Sequence, residues 1–173
     1  EGNRVAGTMS INTWYGAGFM SPGTGVILNN EMDDFAIKPA TPNEYGLIGS
    51  AANAIAPGKR MLSSMSPTFL QSDRGLAILG TPGGSRIITM VLLAGLEWID
   101  GADASEMVNL KRYHHQFLPD ELVFEKGALS IDEQQALRIR GHKLSETRRI
   151  FGNMNVVTWD YATGKVEAVT DPR

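Results

Sequence analysis

The chain contains no cysteine, which excludes disulfides and leaves its redox compartment open. It has no basic cluster: 16 Lys and Arg stand against 19 Asp and Glu, for a net charge of −3. Nucleic acid is therefore not an expected partner. Nor is there a long hydrophobic run. "IITMVLLAGLEWID", residues 87–100, is shorter than the ~18 residues a membrane span needs and carries Glu97. It reads as a helix buried on most sides. Histidine is scarce, and the adjacent pair His114 and His115 sends its side chains apart with no third ligand at a recognisable interval. No metal site is expected from it. The opening "EGNRVAGTMSIN" has no initiator Met or signal peptide and reads as a boundary cut from something longer.

What is present is a chain of 173 residues, 42% of them hydrophobic, enough for a single domain with a real core. Residues 4–12 and 23–30 have strand-like composition, with a Gly-rich loop between them. From 33 to 60 the chain is rich in Pro, Gly, Asn and Ala with little periodicity. Its scattered Phe35, Ile37, Tyr45, Leu47 and Ile48 suggest an ordered cover over something. "MLSSMSPTFLQ" and "GLAILGTP" follow as strands joined by "SDRG". A helix over 85–100 could take Ser85 as N-cap. A short helix is expected over 103–110, a strand after Pro119, and an amphipathic helix from Ser130 to Gly141. The end, "MNVVTWDYATGKVEAVTD", reads as a hairpin turning at Ala-Thr-Gly. Six or seven grouped strands with three helices favour an α+β layered sandwich over a doubly wound fold.

Three stretches carry polar groups that suit chemistry. In "PGGSR", Gly83 and Gly84 lie between a strand and a helix start, where backbone N–H groups lack helical partners and no Cβ bars an approaching atom. That is either a tight turn or an oxyanion pocket. No Lys-Ser/Thr or G-x-G-x-x-G follows, so it is not a nucleotide loop. In "NNEMDDF", Glu31 and Asp34 at i, i+3 share a side that Asp33 does not. The pair suits an ammonium group, or is a solvated acidic turn. In "SSMSP", Ser63 and Ser64 would face opposite ways on an ideal strand. Both address one carboxylate only if the backbone bends there; otherwise they are polar strand residues.

Taken with "KPATPNEYGLIG", "NAIAPGKRMLSSMSPT", "GTPGGSRIIT", "YHHQFLPDEL" and the closing "TDPR", these stretches resemble the small subunit of a γ-glutamyltranspeptidase, in the N-terminal nucleophile hydrolase superfamily. The resemblance implies a four-layer αββα sandwich shared with a large subunit, both cut from one self-processing precursor. It implies γ-glutamyl transfer or hydrolysis from glutathione-like donors, with amino acids, peptides or water as acceptors and no cofactor. The nucleophile would be an N-terminal Thr acting through an acyl-enzyme, with its own α-amine or a water as base. Glu31, Asp34 and Asn12 would hold the donor's α-ammonium; Ser63 and Ser64, with a large-subunit Arg, its α-carboxylate. Gly83 and Gly84 would face the oxyanion. Ser10 stands where the family usually has a second Thr assisting the nucleophile. Tyr45 matches a lid residue, which makes the loop from Pro39 onward a cover. The family's Thr-Thr-His opening would precede Glu1, and internal Thr8 and Thr13 have no free α-amine to replace it. By the same analogy the location is periplasmic or extracellular. Alternatives are a related acylase, such as a cephalosporin acylase or poly-γ-glutamate-processing enzyme, and a noncatalytic γ-glutamyl-binding fragment. A chain that shares its sandwich should expose apolar surface and self-associate when alone.

Overall fold

The "SDRG" turn sets the first regular pairing. Asp73 and Arg74 join β1 (Thr68–Ser72) to β2 (Gly75–Gly80) in an antiparallel hairpin. This computed structural model describes residues 2–38 and 40–173; Glu1 and Pro39, the latter where the expected cover begins, lie outside the described residues. The chain divides into two compact units, Met9–Ser64 and Glu1–Thr8 with Met65–Arg173.

In the larger unit, β2 also pairs with β6 (Asn155–Asp160), and β6 with β7 (Val166–Thr170), giving an antiparallel sheet in the order β1-β2-β6-β7. The last two strands are the expected C-terminal hairpin. A second sheet joins β3 (Tyr113–Gln116), β4 (Glu121–Glu125) and β5 (Leu144–Thr147), with β4 and β5 parallel. Helix α1 (Ile87–Ile99) buries Met90, Ala94 and Trp98 in a core with Ala77, Leu79 and Val156 of the first sheet. Arg74 ends that helix from the hairpin: its Nη2 donates to the Trp98 carbonyl at 2.7 Å, satisfying an orphan acceptor. Helix α2 (Ala104–Asn109) opens on an Asp103/Glu106 capping box and drives Met107 and Val108 into the same core. Helix α3 (Ile131–Ile139) opens on the box of Ser130 and Glu133.

The C-terminal segment is held by charge. Arg112 and Asp171, both almost wholly buried, meet at 2.7 Å. Arg173 bridges Asp171 at 2.8 Å and Glu125 at 3.0 Å. Burial pushes the Asp171 carboxyl up, but hydrogen bonds from Arg173 and Arg112 overcome it and hold the group well below the usual carboxylate range.

The smaller unit has little regular structure among its described residues. A 3-10 turn over Glu31–Asp34 and another over Ala51–Asn53 are joined by the isolated bridge Ala36–Ala54, and a further bridge, Met20–Ile27, lies before them. Several expectations fail. Residues 4–12 form no strand, and 23–30 contribute only the bridge at Ile27. Strand-like composition does not make a ladder where no neighbouring strand supplies pairing groups. Ser85 is not an N-cap either. A 3-10 turn, Gly84–Arg86, precedes α1, whose N-cap position is Arg86, and the Ser85 hydroxyl points to β3 instead.

Candidate functional site

In the smaller unit, asparagines take over the work of a sheet. Asn30 accepts from the Thr13 N–H through Oδ1 at 3.1 Å, while its carbonyl accepts from Asn12 Nδ2 at 3.1 Å. The Asn30 N–H donates to the Ile11 carbonyl at 3.3 Å. These bonds fasten residues 11–13 to the start of the acidic turn. Asn53 fastens its end, donating to the Asp34 carbonyl at 2.7 Å and accepting from the Leu62 N–H at 2.9 Å. The chain leading to Ser63 and Ser64 is thereby tied to Asp34.

In a 3-10 turn, residues three apart eclipse. Glu31 and Asp34 therefore stand on one side, close enough for their side chains to share a hydrogen bond. Burial, then the charges of Glu31 and Asp33, raise the Asp34 carboxyl to about 6. Asp33 accepts from the Glu44 N–H at 3.4 Å and lines the same cavity as Asp34, whereas Glu31 is outside that lining. Phe35, buried to 6% exposure, anchors the turn.

A cavity of about 230 Å³ is lined by Asp34, Phe35, Asn43, Asn53, Leu62 and Ser64, among others. Ser64 and Asp34 thus face one space. Ser63, next in the chain, is exposed and outside that lining. Residues 61–67, expected as the first part of a strand, form none; β1 begins only at Thr68, after Pro67. Tyr45 is half-buried on a turn shaped by Asn43, whose Oδ1 accepts from the Tyr45 and Leu47 N–H groups, each at 3.0 Å. The Tyr45 hydroxyl donates to the Asn12 carbonyl at 3.2 Å. Burial first, and then Glu44 and Asp34, push its phenol pKa up, so it remains a donor. Ser10 is exposed, and its Oγ accepts from the Asn12 N–H at 2.8 Å.

The glycine turn belongs to the larger unit. Gly83 has φ 148° and Gly84 φ 59°, both in the region that favours glycine. A Cβ on Gly83 would also stand 2.5 Å from Met90 Cε, the movable end of a flexible side chain, so the positive φ is the stronger reason for glycine there. Among the described residues, neither the Gly83 nor the Gly84 N–H donates to a backbone acceptor. The turn is clamped from the loop before β6. The Thr81 hydroxyl donates to the Pro82 carbonyl at 2.9 Å and accepts from the Asn153 N–H at 3.0 Å. Phe151 in the same loop donates its N–H to Glu125 at 2.7 Å.

Sequence reasoning brought out the charged and hydroxyl groups and Asn12, and missed Asn30 and Asn53. Asn30 was visible only as half of a strand-ending Asn-Asn, and Asn53 as a lone amide in an alanine run. Among the described residues no His, Asp or Glu cluster could hold a metal, and no helix is long and apolar enough to cross a membrane.

Comparison with known proteins gives these features a context. The model of the γ-glutamyltranspeptidase family matches residues 1–173. Glutathione hydrolase proenzyme of Escherichia coli is 43% identical over 175 residues, covering 100% of this chain and 30% of that protein. The proenzyme of the same name from Pseudomonas sp. strain A14 is 50% identical over 147 residues, covering 84% and 26%. The chain therefore spans less than a third of these relatives' length. A crystal structure of a mutant Helicobacter pylori γ-glutamyltranspeptidase superposes with TM-score 0.93 at 43% identity, covering 99% of this chain and 94% of that one.

Proposed function

Because this chain belongs to the γ-glutamyltranspeptidase family, we propose that it is the small-subunit part of an enzyme that transfers or hydrolyses the γ-glutamyl group of glutathione and related donors. The observation that carries this reading is the acidic pair. Glu31 and Asp34 share one side of a 3-10 turn, and Asp34 looks into a cavity with Ser64. A carboxylate beside a hydroxyl, with Glu31 adding its charge from the same side of the turn, suits a free amino-acid head, which offers an ammonium and a carboxylate together.

On this reading Glu31 and Asp34 hold the α-ammonium, and Asn12 steadies them through Asn30. Ser63 and Ser64, with an arginine of a large subunit, hold the α-carboxylate, and Tyr45 covers the pocket. Gly83 and Gly84 direct their N–H groups at the oxyanion. The attacking threonine is the N-terminal residue of the mature subunit, outside these 173 residues, with the Ser10 hydroxyl assisting. Its Oγ attacks the γ-carbonyl as its proton passes to the α-amine or a water. The C–N bond then breaks, the proton goes to the leaving amine, and water or an acceptor amine takes the acyl group. The large subunit comes from the same precursor and completes the αββα layers. The enzyme works in the periplasm or outside the cell.

The test uses enzyme assembled from its full precursor, with γ-glutamyl-p-nitroanilide and the glutaryl anilide that lacks the α-amino group. The expected result is p-nitroaniline release from the first donor and little from the second. Asp34→Ala lowers kcat/KM for the first about 10- to 150-fold, the value of a charge-assisted hydrogen bond, and narrows the preference between donors. Unchanged kinetics in Asp34→Ala overturn the head-group assignment. A wild-type enzyme that takes both donors equally is an acylase of the alternative kind.

A further inference from the structure

One side chain on β3 gathers bonds from both parts of the α1 entrance. Gln116 Oε1 lies 2.8 Å from Ser85 Oγ and 2.9 Å from His114 Nε2. An amide oxygen only accepts, so Ser85 contributes its hydroxyl proton and His114 its Nε2–H. That fixes the imidazole tautomer: Nδ1 is the acceptor, and the Thr89 hydroxyl donates to it at 2.8 Å. The other end of the amide is anchored as well, since Gln116 Nε2 donates to the Leu118 carbonyl at 2.6 Å. His114 is buried, and burial first lowers its pKa, which keeps the neutral ring the arrangement needs.

Ser85 directly follows Gly84, and Thr89 sits in the first turn of α1. The hydroxyl that the helix would have used as a cap reaches sideways to the strand instead. Glycines at φ 148° and 59° have no side chains to hold their own orientation. Whatever aims their N–H groups must act through neighbours. Thr81 does so from one side through Asn153, and Ser85 does so from the other.

We propose that Gln116 and Ser85 are positioning residues for the Gly83–Gly84 turn, with His114 and Thr89 holding Gln116 in register. The inference rests on the oxyanion role given to those glycines above. Donors aimed at an oxyanion act on the transition state and not on the bound donor. Loosening them therefore lowers kcat and leaves KM in place.

The experiment compares Ser85→Ala, Ser85→Thr, Gln116→Ala and the Ser85→Ala/Gln116→Ala double variant, each as enzyme assembled from the full precursor. Turnover of γ-glutamyl-p-nitroanilide is counted per acylated site, so that poor folding or processing does not register as slow chemistry. Ser85→Ala and Gln116→Ala are expected to lose about 10-fold in kcat with KM within twofold. The double variant should be no slower than Gln116→Ala, because the two act through one bond. Ser85→Thr, which keeps the hydroxyl, should stay within threefold of wild type. If Gln116→Ala fails to fold, the Ser85 pair decides alone. Full kcat in Ser85→Ala, losses shared equally with KM, or simple additivity overturn the inference while an active wild type preserves the γ-glutamyl reading. A wild-type enzyme inert toward the anilide overturns both.

Discussion

Asp34 sets the charge available to a donor. With its carboxyl raised to about 6, Asp34 is protonated below that pH, and an arriving ammonium must then displace the proton. Binding favours the ionised form, so donor KM should rise as pH falls through about 6, approaching tenfold per unit, and Asp34→Asn should flatten that dependence. KM profiles for γ-glutamyl-p-nitroanilide from pH 5 to 8 test this; a flat wild-type profile refutes it. Stability runs the other way. A carboxyl raised in the folded state favours folding below its unfolded value, and that contribution is lost as pH rises through about 6. Asp34→Asn should therefore raise the melting temperature of the donor-free enzyme above pH 6. The shared side of Glu31 and Asp34 was legible because a three-residue spacing has one meaning in any tight helical turn. Asn30 and Asn53 were not legible. Their partners lie 17 to 19 residues away for Thr13, Asn12 and Asp34, and bonds at that separation leave no local period.

The glycine turn is positioned by the loop 151–153. Gly152 has φ 70°, and a Cβ there would lie 2.4 Å from Thr81 Oγ1 and 2.8 Å from the Pro82 carbonyl. The backbone oxygen cannot give way without moving the turn itself. Gly152→Ala should therefore cost about 2–4 kcal/mol in stability, combining backbone strain with overpacking, and should slow turnover in whatever enzyme remains folded. Urea melts and kcat of the assembled enzyme measure both, and wild-type values in each would show that the clamp is dispensable. Elements with local signals were readable: the "SDRG" and Ala-Thr-Gly hairpins, the short helix from Asp103, the helix from Ser130, and the apolar run of α1. β3 and β5 were not. "YHHQ" and "LSET" are short and polar, and each is a strand because β4 lies between them.

At the scale of the chain, α1 carries two apolar faces, with Glu97 exposed beside them, yet only one face is covered. Ile87, Met90, Ala94 and Trp98 face the core, whereas Ile88, Leu92, Leu96 and Ile99 are 57%, 58%, 48% and 66% exposed. The exposed four recur at the spacing of one helix face, and an apolar stripe of that kind is the face a helix ordinarily buries. On the first sheet Phe69, Val157, Trp159 and Val166 are exposed too. Patches of this kind mark interaction surfaces or aggregation sites, and a net charge of −3 offers little repulsion against association. Expressed alone, the chain should scatter light as species heavier than its 18.8 kDa, growing with concentration. Leu92→Lys with Leu96→Glu should return it to a monomer, because neither side chain supports the core. In the full precursor the same pair should lower the yield of assembled enzyme if a large subunit covers that face. A wild-type chain that stays monodisperse at 18.8 kDa, or a doubly substituted precursor that assembles normally, would show that this surface needs no partner.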